Sequence, residues 1–578
     1  MKSLFGILNN TLGKKILLLL LAMLLPTFSI VHSAQAAERV YASYSALERS
    51  ISVSALERYA IDGTIDDSLA VYTKYIAPAQ MQEFRRILLN PIKVNAVAVS
   101  QFLYTPQGEF MLQRLTEVIK TDSRQPLPGF HALRSALILA AADEKGLTLL
   151  NLLREYPSAS IHIDLARTLG IASELEKLVS ETEKAIAAVV EKADIEAKMI
   201  EPSMNVSQLP DFRRPGKFAV QKQSIRLLDG SRNRFLLTDV YLPNASFQVP
   251  VIVISHGLGT DSSNFQYLAS HLASHGFGVI VPNHTGSDTK QLRSLMNGSA
   301  SKVAEANEFL DRPLDIKYVL NDIEHRNKNQ FRGKLNMQQV GVIGQSFGGY
   351  TALALAGAQI DFKGLSNACK PKALKDTWNV SLLLQCRALE MQTKNPRKDY
   401  NLRDDRVKAV IAINPITSSI FGEMGLNEVK IPVMFIASSD DTVAPALYEQ
   451  IVPFSWIANP NKYLAVLQGG THFSAIGVGK SSGEQVGLPS DIVGDDPALA
   501  RRYINSLSLP FFQAYVAGIS KYSPYLNAAY AKAISNEPLG INMIQSLTST
   551  ELAQAFNGEL KQMRKNQEPS TSPLYNPP

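Results

Sequence analysis

Short apolar runs alternating with helical stretches dominate the second half of the chain. Val251-Ile252-Val253-Ile254, Gly278-Val279-Ile280-Val281, Val340 to Ile343, Val407 to Ile413, Val433-Met434-Phe435-Ile436 and Tyr463 to Leu467 read as strands. Between them, 262–275 and 313–327 read as helices, the latter starting at Arg312-Pro313-Leu314-Asp315. Continuous apolar strands separated by helices predict a mostly parallel sheet covered on both faces, an α/β class. Residues 217–243 predict a hairpin around Asp229-Gly230-Ser231. Upstream the period changes. Met81, Phe84, Ile87 and Leu88 follow Pro78 at helical spacing. Phe110, Met111, Leu115, Val118 and Ile119 do the same, as do the stretch 133–142 and the stripe Leu175, Leu178, Ala185 and Val189, a core or docking face. The pentapeptide Ser-Ala-Leu-Glu-Arg occurs at 45–49 and 54–58, which is too little for a repeat architecture.

These patterns predict an all-helical domain over 37–200, a linker over 201–216 marked by Pro202, Pro210, Pro215 and Gly216, and an α/β domain over 217–540. Residues 361–405 interrupt the alternation and are read as a cap. Closing helices are expected at 498–517 and 524–535, followed by a C-terminal segment, 541–578, whose polar, Pro-rich tail from Lys565 predicts disorder.

Composition adds compartment and exclusions. Apolar residues make up 45% and charged residues 19%, an ordinary globular balance. Of the net charge of +6, Lys2, Lys14 and Lys15 account for three, leaving +3 for the rest. With no basic stripe, nucleic acid is not an expected partner. Lys14 and Lys15 precede the apolar run Ile16–Leu25, and Ala34-Gln35-Ala36 offers a small-residue cleavage site. Residues 1–36 thus read as an export signal with a mature start at Ala37. The alternative is an uncleaved anchor continuing through Ile30 and Val31. The expected compartment is the periplasm, a thylakoid lumen or the exterior. Oxidation is permitted there, and the only cysteines, Cys369 and Cys386, fit one disulfide better than two free thiols.

The chemistry concentrates at Gly344-Gln345-Ser346-Phe347-Gly348-Gly349, between the apolar strand 340–343 and a helical run. A sharp strand-to-helix turn lifts a serine hydroxyl out of a sheet, and small residues two before and two after, Gly344 and Gly348, permit the turn. A serine nucleophile needs a histidine base oriented by an acid, here in the order Ser, Asp, His. The strand 433–436 leads to Asp440-Asp441-Thr442-Val443-Ala444-Pro445, and the strand 463–467 leads to Gly469-Gly470-Thr471-His472. Asp441, four residues before the proline, is preferred to Asp440. His131, His162, His271, His275, His284 and His325 are taken as surface or satisfied core residues. After the strand 251–254, His256-Gly257-Leu258-Gly259 forms a loop in which His256 and Gly257 shape the backbone. The Leu258 N–H would pair with that of Phe347 as an oxyanion hole. No metal, phosphate or dinucleotide signature is present, so no cofactor is expected.

The run from Ser255-His256-Gly257-Leu258-Gly259 through Leu272-Ala273-Ser274-His275-Gly276-Phe277 resembles the platelet-activating factor acetylhydrolase family. The block from Ile431 to Phe473 is similar to bacterial cutinases and dienelactone-hydrolase-like esterases. The resemblance, over about 217–520, implies an α/β-hydrolase fold with a cap and an ester-cleaving Ser346-Asp441-His472 triad. One departure matters. In the acetylhydrolases the acid follows the strand after the nucleophile, but here that strand ends in Asn414-Pro415, and an amide cannot stabilise an imidazolium. The helical half is similar to an uncharacterised domain preceding exported hydrolases of photosynthetic bacteria.

The expectation is an exported serine hydrolase cleaving lipid or short-acyl esters, at a membrane surface where the substrate is a lipid. Residues 361–405 would form a cap stapled by Cys369–Cys386, and residues 284–312 the opposite wall. The competing readings are a peptidase or acyltransferase using the same triad, or a silent scaffold whose helical half docks a protein partner.

Overall fold

The computed structural model describes residues 36–556 apart from 75, 93, 95, 201–209, 376, 395–399 and 479–496. The expected export signal, most of the expected linker and the polar tail lie outside the described residues. The chain divides into two compact units, one holding residues up to Leu103 with Glu109–Leu169, the other Tyr104–Gly108 with Gly170 onward. Among the described residues no helix is long and apolar enough to cross a membrane.

The first unit is not all-helical. Its helices accompany a four-stranded sheet in the order Leu47–Ser52, Arg39–Tyr44, Ser160–Asp164, Ile119–Thr121. The expected helix through Val118 and Ile119 stops at Thr116, and Ile119 pairs with Ile163. The repeated pentapeptide shows why periodicity missed the sheet. Its first copy lies in a turn and strand with Leu47 71% exposed; its second lies in the helix Val53–Asp62, capped by Ser52 Oγ, with Leu56 buried. One local sequence adopts two conformations, so partners decide, not propensity.

The second unit is built on nine strands: β1 (Val220–Asp229), β2 (Arg234–Pro243), β3 (Val249–Ser255), β4 (Gly278–Pro282), β5 (Leu335–Gln345), β6 (Val407–Ile413), β7 (Val433–Ser438), β8 (Lys462–Gln468) and β9 (Gly540–Ile544). Their order is β9-β8-β7-β6-β5-β3-β4-β2-β1. The strands from β4 through β3, β5, β6 and β7 to β8 pair in parallel; β1, β2 and β9 are antiparallel additions. Alternate residues of each central strand enter different cores. Val251, Val340, Val342, Val433 and Phe435 pack on one face, and Ile252, Ile254, Ile343, Met434 and Ile436 on the other. Both faces are apolar because both are covered, which explains the unbroken runs.

The first face carries α1 (Leu165–Ile200), α3 (Glu308–Asn327) and α4 (Phe347–Leu355). The second carries α2 (Gln266–Ser274) and α5 (Pro497–Tyr515). Three expected boundaries change. Ala185, Ile186, Val189, Ala193 and Ala197 of α1 are part of the second unit's core, so the division falls inside this helix near 170, not at 200. Leu175 stays exposed. Phe212, in the expected linker, is buried with its ring 5.0 Å from that of Tyr525. β9 completes the sheet, and Leu547, Leu552 and Phe556 join the core, so the domain runs past 540.

Candidate active site

Ser346 stands between β5 and α4 with φ 55° and ψ −117°. This strained conformation is rare for a residue with a side chain, and its N–H is tied to the Ile413 carbonyl at 2.8 Å. Nothing larger than glycine fits beside it. A Cβ on Gly344 would lie 2.0 Å from the Gly348 carbonyl oxygen, and one on Gly348 would lie 2.0 Å from that of Ser255.

The loops after β7 and β8 are laced together. Ser439 N–H donates to Leu467 O, Gly469 N–H to Ser439 Oγ, and Asp440 N–H to Gly470 O. This brings His472 and Asp441 to the sheet edge where Ser346 emerges. His472 Nε2 lies 2.9 Å from Ser346 Oγ, and His472 Nδ1 lies 2.7 Å from Asp441 Oδ2. The other Asp441 oxygen accepts the N–H groups of Val443 and Ala444 at 2.9 and 2.7 Å, fixing the carboxylate. In this wiring the Nδ1 hydrogen points at the acid, leaving the Nε2 lone pair for the serine hydroxyl. All three side chains are at least nine-tenths buried. Asp440 is exposed and bonds Ser439 instead.

Sequence reasoning missed what holds the histidine loop. Gln345 Nε2 donates to the His472 carbonyl at 3.0 Å, and Asn414 Nδ2 reaches the same oxygen and that of Thr471 at 3.3 Å. Asn414, the amide after β6, therefore anchors backbone. Gln345 also packs on the loop after β3, its Oε1 occupying the space a Cβ on Gly257 would need.

The loop after β3 is set by a buried ring. His256 Nε2 accepts the His284 N–H at 2.9 Å, and its Nδ1 lies 2.8 Å from the Gly257 carbonyl oxygen. That carbonyl also accepts Thr260 Oγ1 at 3.1 Å. The Leu258 N–H belongs to the same trans peptide, so pinning the Gly257 C=O directs the N–H the opposite way. Burial, with Arg312 and His284 nearby, holds His256 well below the usual imidazole range, hence neutral. Neither the Leu258 nor the Phe347 N–H has a protein acceptor among the described residues.

Behind this loop lies a charge network with no local pattern in the sequence. Arg234 grips Asp315 through two bonds, at 2.9 and 2.8 Å, and Glu308 through one at 2.8 Å, while Arg232 reaches Asp311 and Asp315. Burial raises the Asp315 carboxyl, opposed by the guanidiniums that hold it. His284 Nδ1 lies 3.0 Å from Asp315, and its Nε2 lies 3.0 Å from Ser255 Oγ. This repeats the Ser-His-Asp wiring, but all three residues are fully buried. No substrate reaches Ser255, so the arrangement is structural.

Cys369 and Cys386 form a disulfide. Within the insertion, the helix Val380–Cys386 is tied to the acid loop by Ser381 N–H to Val443 O. It is also tied to the buried Glu449 carboxylate by Asn379 and Gln385. Among the described residues, no cluster of ligating side chains could hold a metal.

The sheet order, the helices on both faces and this turn define an α/β-hydrolase-type domain. A family model described as alpha/beta hydrolase fold matches residues 250–361, which include Ser346. A second, described as alpha/beta hydrolase of unknown function (DUF1400), matches residues 36–164, within the stretch that carries the four-stranded sheet. No curated protein matches the chain.

Proposed function

We propose that the chain is an exported serine hydrolase cleaving carboxylic esters, lipid or short-acyl, of the kind the acetylhydrolase and cutinase resemblances imply. The observation that carries this reading is the continuous bond path from Ser346 Oγ to His472 to Asp441. It starts at Ser346, where the adjoining Phe347 N–H, like that of Leu258, has no protein acceptor among the described residues. His472 takes the hydroxyl proton as Ser346 Oγ bonds to the ester carbonyl carbon. The Leu258 and Phe347 N–H groups hold the oxyanion. His472 then returns the proton to the departing alcohol as the C–O bond breaks, and water releases the acyl group by the same steps. The helix Val380–Cys386, stapled through Cys386 and tied to the acid loop, supports a cap role for the insertion. The disulfide also favours an oxidising, exported location.

The test is p-nitrophenyl ester turnover from acetate to palmitate, with fluorophosphonate labelling and mass mapping. Ser346 is expected to carry the label. Ser346→Ala and Asp441→Asn should lose about 10⁴-fold or more in kcat with folding intact, and Asp440→Asn should stay within about twofold of wild type. Equal turnover in wild type and Ser346→Ala would overturn the reading. Labelling without ester turnover would favour a peptidase or acyltransferase, and neither would favour a scaffold.

A further inference from the structure

Arg312 is wholly buried, yet unlike Arg232 and Arg234 it forms no ion pair among the described residues. Its Nη2 donates to the His256 carbonyl and its Nη1 to Ser287 Oγ at 3.1 Å, and its Nε has no partner among the described residues. The guanidinium carbon stands 4.7 Å from the centre of the Phe347 ring. Glu308, Asp315 and Asp288 act on it only through space. Burial lowers its pKa to about 10, which leaves it charged at neutral pH. Ser287, its second anchor, also accepts the Gly259 N–H at its carbonyl and donates to Glu308 at 2.6 Å. The same guanidinium thus touches the loop that carries one free N–H and the residue that carries the other. A buried cation bonded only to neutral groups carries a desolvation cost that no direct ion pair offsets.

We propose that Arg312 is a positioning residue of the oxyanion hole. It ties the Leu258 loop to the Phe347 turn and sets a positive charge, lacking a directly bonded counter-ion, behind both donors. There the tetrahedral oxyanion supplies the negative charge it lacks. This rests on the serine-hydrolase reading above.

The experiment measures kcat, KM and the inhibition constant of a phenylboronate, whose serine adduct is a tetrahedral anion, for wild type, Arg312→Lys, Arg312→Met and Ser287→Ala. Arg312→Met should lower kcat about 10- to 100-fold with KM within about twofold, and weaken the boronate by the same factor. Arg312→Lys should recover part of both. Ser287→Ala, which keeps the charge but frees one anchor, should lower both together about three- to tenfold, and it decides the matter if the Arg312 variants do not fold. Folded variants that keep boronate affinity, or that change KM alone, would overturn the proposal. If wild type is not labelled by fluorophosphonate at Ser346, the serine-hydrolase reading itself fails.

Discussion

His271 and His472 differ only in what surrounds their rings, and that difference decides what each can do. His472 has a hydrogen-bond partner at each ring nitrogen. His271 on α2 is buried with its Nε2 unpartnered among the described residues, and burial beside His275 drops its pKa to about 3. Its folded-state pKa lies below the usual 6.5, so between those values the unfolded chain binds the extra proton and folding weakens as pH falls. Wild type should therefore lose about 1 kcal/mol relative to His271→Leu between pH 6.5 and 5.5, with a constant difference above pH 7.5, measured by urea unfolding. Ser346, Asp441 and His472 stood out in the sequence because each ends a strand run and is flanked by glycine or proline. Arg234, His284, Glu308, Arg312 and Asp315 did not, because a buried ion network joins distant segments and leaves no spacing to read. The nearest signal was the charged cluster Asp311, Arg312 and Asp315 around Pro313 in the helix Glu308–Asn327.

α3 shows how an element can override its own local signal. Pro313 reads as a helix start, since proline lacks the N–H a later position would donate. The helix nevertheless begins at Glu308, which leaves the Phe309 carbonyl without its intrahelical partner. Tyr350 Oη, projecting from α4, donates to that oxygen at 2.8 Å, so a side chain from the neighbouring helix replaces the missing bond. The extra turn carries Glu308 to Ser287 and Arg312 to the His256 carbonyl. Tyr350→Phe would leave that carbonyl buried and unpaired, and should destabilise the protein by about 1–3 kcal/mol, read as a lower urea midpoint with an unchanged m-value. The strands of the central sheet were legible for the opposite reason: burial on both faces writes itself as an unbroken apolar run. The N-terminal sheet lacks that signature, since its strand Leu47–Ser52 is largely exposed or half-buried, with polar residues among its apolar ones.

At the scale of the whole molecule, the question is which residues the catalytic domain needs. A boundary at 200 follows from where helical periodicity ends and prolines begin, but periodicity reports that α1 is a helix and not what it packs against. Its later half presents Ala185, Ile186, Val189, Ala193 and Ala197 to the same core as β3, β5, α3 and α4. Lys192 and Glu181 reinforce the docking through Glu551 and Tyr448. Removing everything before residue 201 deletes those side chains and uncovers the core they pack against, a loss of about 5 kcal/mol by area bookkeeping. A deletion to residue 170 keeps the stripe. Of two truncated proteins, the one beginning at 170 should keep a melting temperature within a few degrees of the full chain, along with whatever ester turnover the full chain has. The one beginning at 201 should melt well below both or aggregate. Calorimetry with p-nitrophenyl ester assays on the three proteins checks this; equal melting of the two truncations would mean that the α1 stripe does not stabilise the hydrolase unit.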